Sequence, residues 1–228
     1  MTPTRNNMGK LRHLGLIPDG NRRWTIENNI PLSEAYWITM KKISEIIDLV
    51  FAQDIRIMSV YLLSKDNLDR PKNQLDIILD AETKFLKILV PEIVEKHKCK
   101  VVHAGLMDDR LSGHYKDALL DVCEKSEGNK EHILNLLVAY SPIDELKHAM
   151  KKDPENFMEH LWVKDPLDML IRTGFEKRLS NFLPLQCGYA EADVIKKYFP
   201  DITKEDIIKS IETCMGRKRR FGGYNENS

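Results

Sequence analysis

Short apolar runs of strand length alternate with longer stretches of helical period along almost the whole chain, and few architectures accept that alternation. His13 to Pro18, Ile57 to Leu63, Lys100 to Gly105, His132 to Tyr140 and Asp168 to Gly174 read as strands, and Ala190 to Val194 as a short sixth. Between the first two, Ser33 to Gln53 carries Ile43, Ile46, Ile47 and Val50 on one stripe, the pattern of a helix with one buried face. Leu75 to His97 repeats it through Ile78, Phe85, Leu89 and Val94, with Pro91 as a point of kinking. Asp108 to Lys125 reads as a helix opening on two acids, and Pro142 starts another. Thr203 to Met215 reads as the last, with Thr203 as N-cap and Asp206 three residues on. Strands separated by helices predict an α/β fold: a single domain with a central, mostly parallel six-stranded sheet flanked by helices.

The 228 residues suffice for one domain with a sizeable core, expected over 13–223, between a flexible tail at 1–12 and a disordered tail at 224–228. Lys plus Arg and Asp plus Glu number 35 each, which argues against nucleic-acid binding and leaves anion recognition to local clusters. No apolar run reaches the ~18 residues that cross a bilayer. The first residues lack the apolar core of a secretory signal, so a cytoplasmic location is expected. Cys99, Cys123, Cys187 and Cys214 form no CxxC pair and read as small buried hydrophobes.

In open α/β sheets, ligands sit outside the carboxyl ends of the strands. Three polar clusters fall after strands here. Asp19-Gly20-Asn21-Arg22-Arg23-Trp24 follows the first. A strand, a glycine and an incoming helix offer backbone N–H groups to an anion, and Arg22 and Arg23 add charge. Asp19 would repel a phosphate on its own, but it suits a Mg²⁺ ion that bridges carboxylate and diphosphate. Taken alone, the segment also reads as an Asp-Gly turn with surface arginines. Ser64 to Pro71 alone is a polar loop. Arg172 to Asn181 offers Arg172, Arg178 and Ser180 to a second phosphate group, and Glu191 lies further on as a second metal carboxylate.

The basic run Arg217 to Arg220 suits a solvated tail better than a nucleic-acid patch. Together the clusters predict two anion sites and two metal carboxylates at one sheet edge, with no Ser, Cys or His triad. Such a set suits departure of a diphosphate, since Mg²⁺ and arginines stabilise the charge that develops as the C–O bond breaks. An allylic cation needs a dry apolar tunnel, which the helices at 33–53 and 75–97 would wall.

In this order, the clusters resemble the cis-prenyltransferase family, typified by undecaprenyl diphosphate synthase. The DGNxRW motif stands as Asp19 to Trp24, and the SxENxxRP loop as Ser64 to Pro71. The DLxIRTGGExRxSNFLxxQxxYxE block stands as Asp168 to Glu191, and RxRRFGG as Arg217 to Gly223. The resemblance implies a Mg²⁺ cofactor, allylic and isopentenyl-type diphosphate substrates, and a homodimer with composite sites. It gives Asp19 to the metal, and Gly20, Asn21, Arg23 and Arg70 to the allylic diphosphate cradle. Arg172, Arg178 and Ser180 fall to the second diphosphate, and Asn67 to catalysis. Glu191 falls to the metal across the dimer, and the Arg220 to Gly223 segment, with Gly222, reaches the partner's site. Arg22, Trp24 and Tyr36 complete the expected substrate-binding set; Asp19, Asn67 and Arg70 form the expected catalytic set.

Departures from the family pattern cluster on the allylic side. The glycine of DGNGRW is Arg22 here. The arginine and histidine of an RxxGHxxG stretch are Leu32 and Tyr36, followed by Trp37 and Thr39. The loop tryptophan is Leu68, an NYGGR stretch is replaced by Ala139 to Ile143, and the second glycine of RTGG is Phe175. Similar losses occur in lavandulyl-type relatives, which couple two five-carbon units head-to-middle. The expectation is therefore a short-chain or irregular terpenoid diphosphate, sometimes cyclised, with Tyr36, Trp37 and Phe175 as aromatic candidates for contact with a carbocation. The alternatives are a terpene cyclase acting on one geranyl- or farnesyl-type diphosphate, a regular polyprenyl diphosphate synthase, and a non-catalytic partner subunit. The last tends to lose the first-motif aspartate, which is present here as Asp19.

Overall fold

The computed structural model describes residues 11–216. The chain runs β1 (His13–Ile17), α1 (Asn21–Asn28), α2 (Leu32–Ala52), β2 (Ile57–Ser64), a 3₁₀ turn (Lys65–Asp69) and α3 (Lys72–Lys84). A π-helical turn (Phe85–Leu89), α4 (Val90–His97), β3 (Cys99–Ala104), α5 (Gly113–Ser126), β4 (His132–Tyr140) and α6 (Pro142–Lys152) follow. β5 (Met169–Thr173), β6 (Glu191–Ile195) and α7 (Lys204–Met215) complete it. The strands form one sheet in the order β3-β4-β2-β1-β5-β6. Every pairing is parallel, so the sheet is wholly rather than mostly so.

The sheet is buried on both sides, as a parallel sheet must be. Leu14 and Leu16 of β1 and Met169 and Ile171 of β5 pack into the larger core with Ile43, Ile47 and Val50 of α2. Ile17 and Leu170 face the other side, with Tyr140, Val163, Leu167, Phe182 and Leu183. That second face is covered by irregular segments, through Val163, Leu167, Phe182 and Leu183, rather than by a full helical layer. The covering segment is pinned by Glu145, which accepts from the Tyr140 hydroxyl at 2.6 Å and from the Val163 amide at 2.9 Å.

Three elements differ from the sequence reading, each for a local reason. The stretch expected as one helix from Leu75 to His97 is helical without a break from Lys72 to His97, but its distortion is a π turn at Phe85–Leu89 rather than a kink at Pro91 itself. Pro91 cannot donate to the preceding turn, and the backbone widens into the π turn before it, leaving Pro91 in the first turn of α4. α5 begins at Gly113, where the Ser112 side chain caps the Tyr115 amide, so Asp108 and Asp109 do not stand at its dipole. Asp108 instead binds Arg110 in the preceding turn. α1 is a helix of its own, with low apolar content, and periodicity alone does not reveal it. α7, by contrast, carries the expected capping box between Thr203 and Asp206.

Candidate active site

The connections leave β1 toward β2 on one side and β5 toward β6 on the other. The gap beyond the carboxyl ends of β1 and β5 is therefore the topological switch point of the sheet, where such folds bind ligands. Asp19 stands there, just after β1. The Thr173 hydroxyl at the end of β5 accepts from its amide at 2.9 Å and donates to its carbonyl at 2.8 Å. The Phe199 amide binds the same carbonyl at 3.1 Å. Asp19 is thus fixed through its backbone, and its carboxylate is left to meet charge.

Arg172 supplies that charge. It projects from β5 with its side chain only 6% exposed, and Nη2 donates to Asp19 Oδ2 at 2.7 Å. Nη1 reaches Ser180 Oγ at 2.9 Å and the Arg178 carbonyl. Its Nε is buried without a hydrogen-bond partner among the described residues. A second guanidinium, that of Arg23 in α1, lies 3.5 Å from Asp19 Oδ1 and donates to the Gly174 carbonyl at 3.0 Å. Glu176 bridges Arg23 at 3.4 Å and Arg178 at 3.3 Å. Arg172, Lys177, Arg178, Leu179 and Val194 line a recess of about 380 Å³ beside this cluster, within the size range of small-ligand sites.

Two glycines allow the close approach. Gly20 caps α1 at φ 110, and a Cβ there would stand 2.6 Å from the Tyr198 ring. Gly174 has φ 89, and its Cβ would lie 3.0 Å from the Asp19 backbone and 3.1 Å from Arg23 Nη2.

The SxENxxRP-like loop brings the third expected cluster to the same end of the sheet, after β2. The Ser64 side chain accepts from the Asn67 amide at 3.1 Å and closes the 3₁₀ turn. Lys65 ties that turn to Asp144 of α6 at 2.7 Å. Arg70 then donates to the Tyr36 hydroxyl of α2 at 2.8 Å. Burial pushes the Tyr36 hydroxyl above its ordinary range, opposed by the charges of Arg70 and of the exposed Arg22. Asp19, Arg23, Arg172 and Ser180 are therefore drawn into one cluster, which Arg178 joins through its carbonyl and through Glu176; Tyr36 and Arg70 form a separate pair, which Arg22 reaches through its charge.

Other expected residues are placed differently. Asn21 and Trp24 turn inward. The Asn21 side chain is fixed by the Thr39 hydroxyl at 2.6 Å, and Trp24 Nε1 donates to Asp201 at 2.7 Å, so both anchor α1 to the core. Trp37 packs against the larger core. Glu191 is not at this sheet edge. It opens β6 in register with Met169, which pairs with Leu14, roughly 16 Å of strand rise before Asp19. A parallel strand that starts at Glu191 carries it to the amino end of the sheet, so the two carboxylates do not meet within one chain. Arg220 and Gly222 lie outside the described residues. Sequence reasoning missed Thr173, Glu176 and Tyr198. Thr173 and Glu176 lie inside the block that carried the resemblance; Tyr198 gave no signal.

The geometry defines a parallel α/β protein with a carboxylate and converging guanidinium groups at its switch point. Comparison with known proteins agrees. Residues 17–222 match the family model described as "Putative undecaprenyl diphosphate synthase", and the chain belongs to that cis-prenyltransferase family. It is 31% identical over 93% of its length to the Ditrans,polycis-undecaprenyl-diphosphate synthase ((2E,6E)-farnesyl-diphosphate specific) of Micrococcus luteus, covering 91% of that protein. It is 32% identical to an isoprenyl transferase of Shouchella clausii, covering 93% of this chain and 88% of the relative. Lavandulyl diphosphate synthase from Lavandula x intermedia, solved with dimethylallyl diphosphate, superposes with a TM-score of 0.87 at 26% identity, covering 93% and 98% of the two chains. The chain is accordingly a transferase of prenyl groups in isoprenoid biosynthesis. Among the described residues, no helix is long and apolar enough to cross a membrane.

Proposed function

We propose that the chain is a Mg²⁺-dependent enzyme that condenses an allylic with an isopentenyl-type diphosphate into a short-chain or irregular, head-to-middle terpenoid diphosphate. The observation that carries this reading is the Asp19–Arg172 ion pair at the switch point, with Arg172 Nε buried beside it and unengaged among the described residues. A guanidinium that spends only part of its donor set on protein is prepared for an oxyanion. Asp19, 30% exposed at its side chain, fits an ion held by one carboxylate together with diphosphate oxygens and water. Bound there, Mg²⁺ would neutralise charge on the departing diphosphate. Arg23 and Arg70 would orient the allylic diphosphate, and Arg172, Arg178 and Ser180 the second one. Tyr36, fixed by Arg70, would close the allylic side where the family pattern has a histidine. Asn67, held in the 3₁₀ turn, would assist at the reacting carbon.

The irregular product is supported by the rebuilt allylic side and by the likeness to lavandulyl diphosphate synthase. A homodimer is part of the proposal: Glu191 would then serve a partner's metal site. A cytoplasmic location fits diphosphate substrates of this kind.

Incubation with Mg²⁺ and dimethylallyl diphosphate, with and without isopentenyl diphosphate, tests the reading. A short or branched prenyl diphosphate is expected. A regular long-chain product would defeat the irregular assignment. A volatile terpene from one preformed geranyl- or farnesyl-type diphosphate would favour a cyclase. No turnover of any prenyl diphosphate would leave a partner subunit.

A further inference from the structure

Phe175 holds a backbone conformation that L side chains rarely adopt. It has φ 77, directly after Gly174 at φ 89. A bulky residue there is a true outlier, and such positions persist where the surroundings hold them and function uses them. The ring is not buried in compensation; it is 49% exposed. Ordinary core packing therefore does not explain it.

What the ring touches is specific. Its centroid lies 5.3 Å from that of Tyr198 at 77°, an edge-to-face contact. The Tyr198 ring lies 5.6 Å from Arg23 Cζ, within cation–π range. Tyr198 is held from below by contact with Gly20, and its hydroxyl binds Glu27 of α1. Arg23 is the guanidinium beside Asp19. Arg23 is half-buried and already meets the Gly174 carbonyl, Asp19 and Glu176 through its Nη atoms; the Tyr198 ring adds a face that fixes the plane of the guanidinium.

We propose that Phe175 is a positioning residue: it braces Tyr198 edge-on so that Tyr198 holds the Arg23 guanidinium facing the diphosphate site beside Asp19. This rests on the function proposed above. Backbone strain at position 175 is the cost, and a preset Arg23 is the gain. The contact works through Arg23 rather than on the hydrocarbon.

The test is calorimetric titration of Mg²⁺ and the thiolo-analogue of dimethylallyl diphosphate into the full chain, alongside thermal unfolding. Phe175→Gly should weaken binding about two- to five-fold, the fold-change of one exposed cation–π contact. Its melting temperature should hold or rise by about 2–4 °C as strain is relieved. Phe175→Tyr should restore affinity. In an Arg23→Gln background, Phe175→Gly should cause no further loss. Unchanged affinity in Phe175→Gly overturns the proposal, as does an equal loss with and without Arg23. Loss of affinity together with a lowered melting temperature would make Phe175 a packing residue and overturns it too. If the wild-type chain binds no analogue, the proposed function itself fails; if it binds and only the variants behave otherwise, the failure is confined to Phe175.

Discussion

Glu82 of α3 shows how much a single buried group can cost. It is 1% exposed and accepts from the buried Tyr115 hydroxyl at 2.7 Å. Burial pushes its carboxyl from 4.5 up to about 7, against the hydrogen bond from Tyr115 and the charge of Arg70. The folded-state value lies above the unfolded one, so Glu82 costs nothing below about 4.5 and progressively more as pH rises to about 7, beyond which the cost is level. Across that window the wild type should lose on the order of 3 kcal/mol relative to Glu82→Gln. Urea unfolding of both proteins at about pH 5 and about pH 8 checks this; parallel pH curves would contradict it. Nothing in the sequence singles out Glu82. Its partners come from α5 and from the loop before α3, contacts that only the folded chain assembles.

At the scale of elements, α5 offers a sharp comparison. Ser112→Ala should destabilise the protein by about 1 kcal/mol, because the cap on the Tyr115 amide is lost. Asp109→Asn should change stability by less than about 0.5 kcal/mol, since that residue lies outside the helix. Denaturant midpoints measure both, and a larger effect at Asp109 would mean that the helix starts earlier. The inner strands were readable because they are buried on both faces and so form nearly continuous apolar runs; β4 from Leu134 to Tyr140 is the clearest case. β6 was only faintly legible, because an edge strand with Ala192 exposed carries mixed residues. α1 was not legible as an element, because Gly20 and the pinned Asn21 set its start, and neither leaves a periodic mark. Of the site, motif residues on the ends of β1 and β5 were legible. Thr173 as a backbone clamp and Tyr198 beneath Arg23 depend on the register of strands far apart in sequence.

At the scale of the whole molecule, Asp19 and Glu191 stand at opposite ends of one sheet, yet the proposed site needs both. A dimer resolves this if one chain's Glu191 meets its partner's Asp19. Exposed Leu179, Leu185 and Tyr189 near β6 suit a covered face. The protein should sediment as a dimer. Asp19→Asn and Glu191→Gln should each be impaired, and mixing them with subunit exchange should recover activity that neither has alone, because one site in each mixed dimer is intact. A monomer, or mixtures no better than their parts, would contradict the composite site. The most direct measurement of the central claim is a crystal structure of the protein with Mg²⁺ and the thiolo-analogue of dimethylallyl diphosphate. The account predicts diphosphate density beyond the ends of β1 and β5, with Asp19 on the metal side and Arg23 and Arg172 within hydrogen-bonding reach. Diphosphate bound elsewhere, with the Asp19–Arg172 pair untouched, would contradict it.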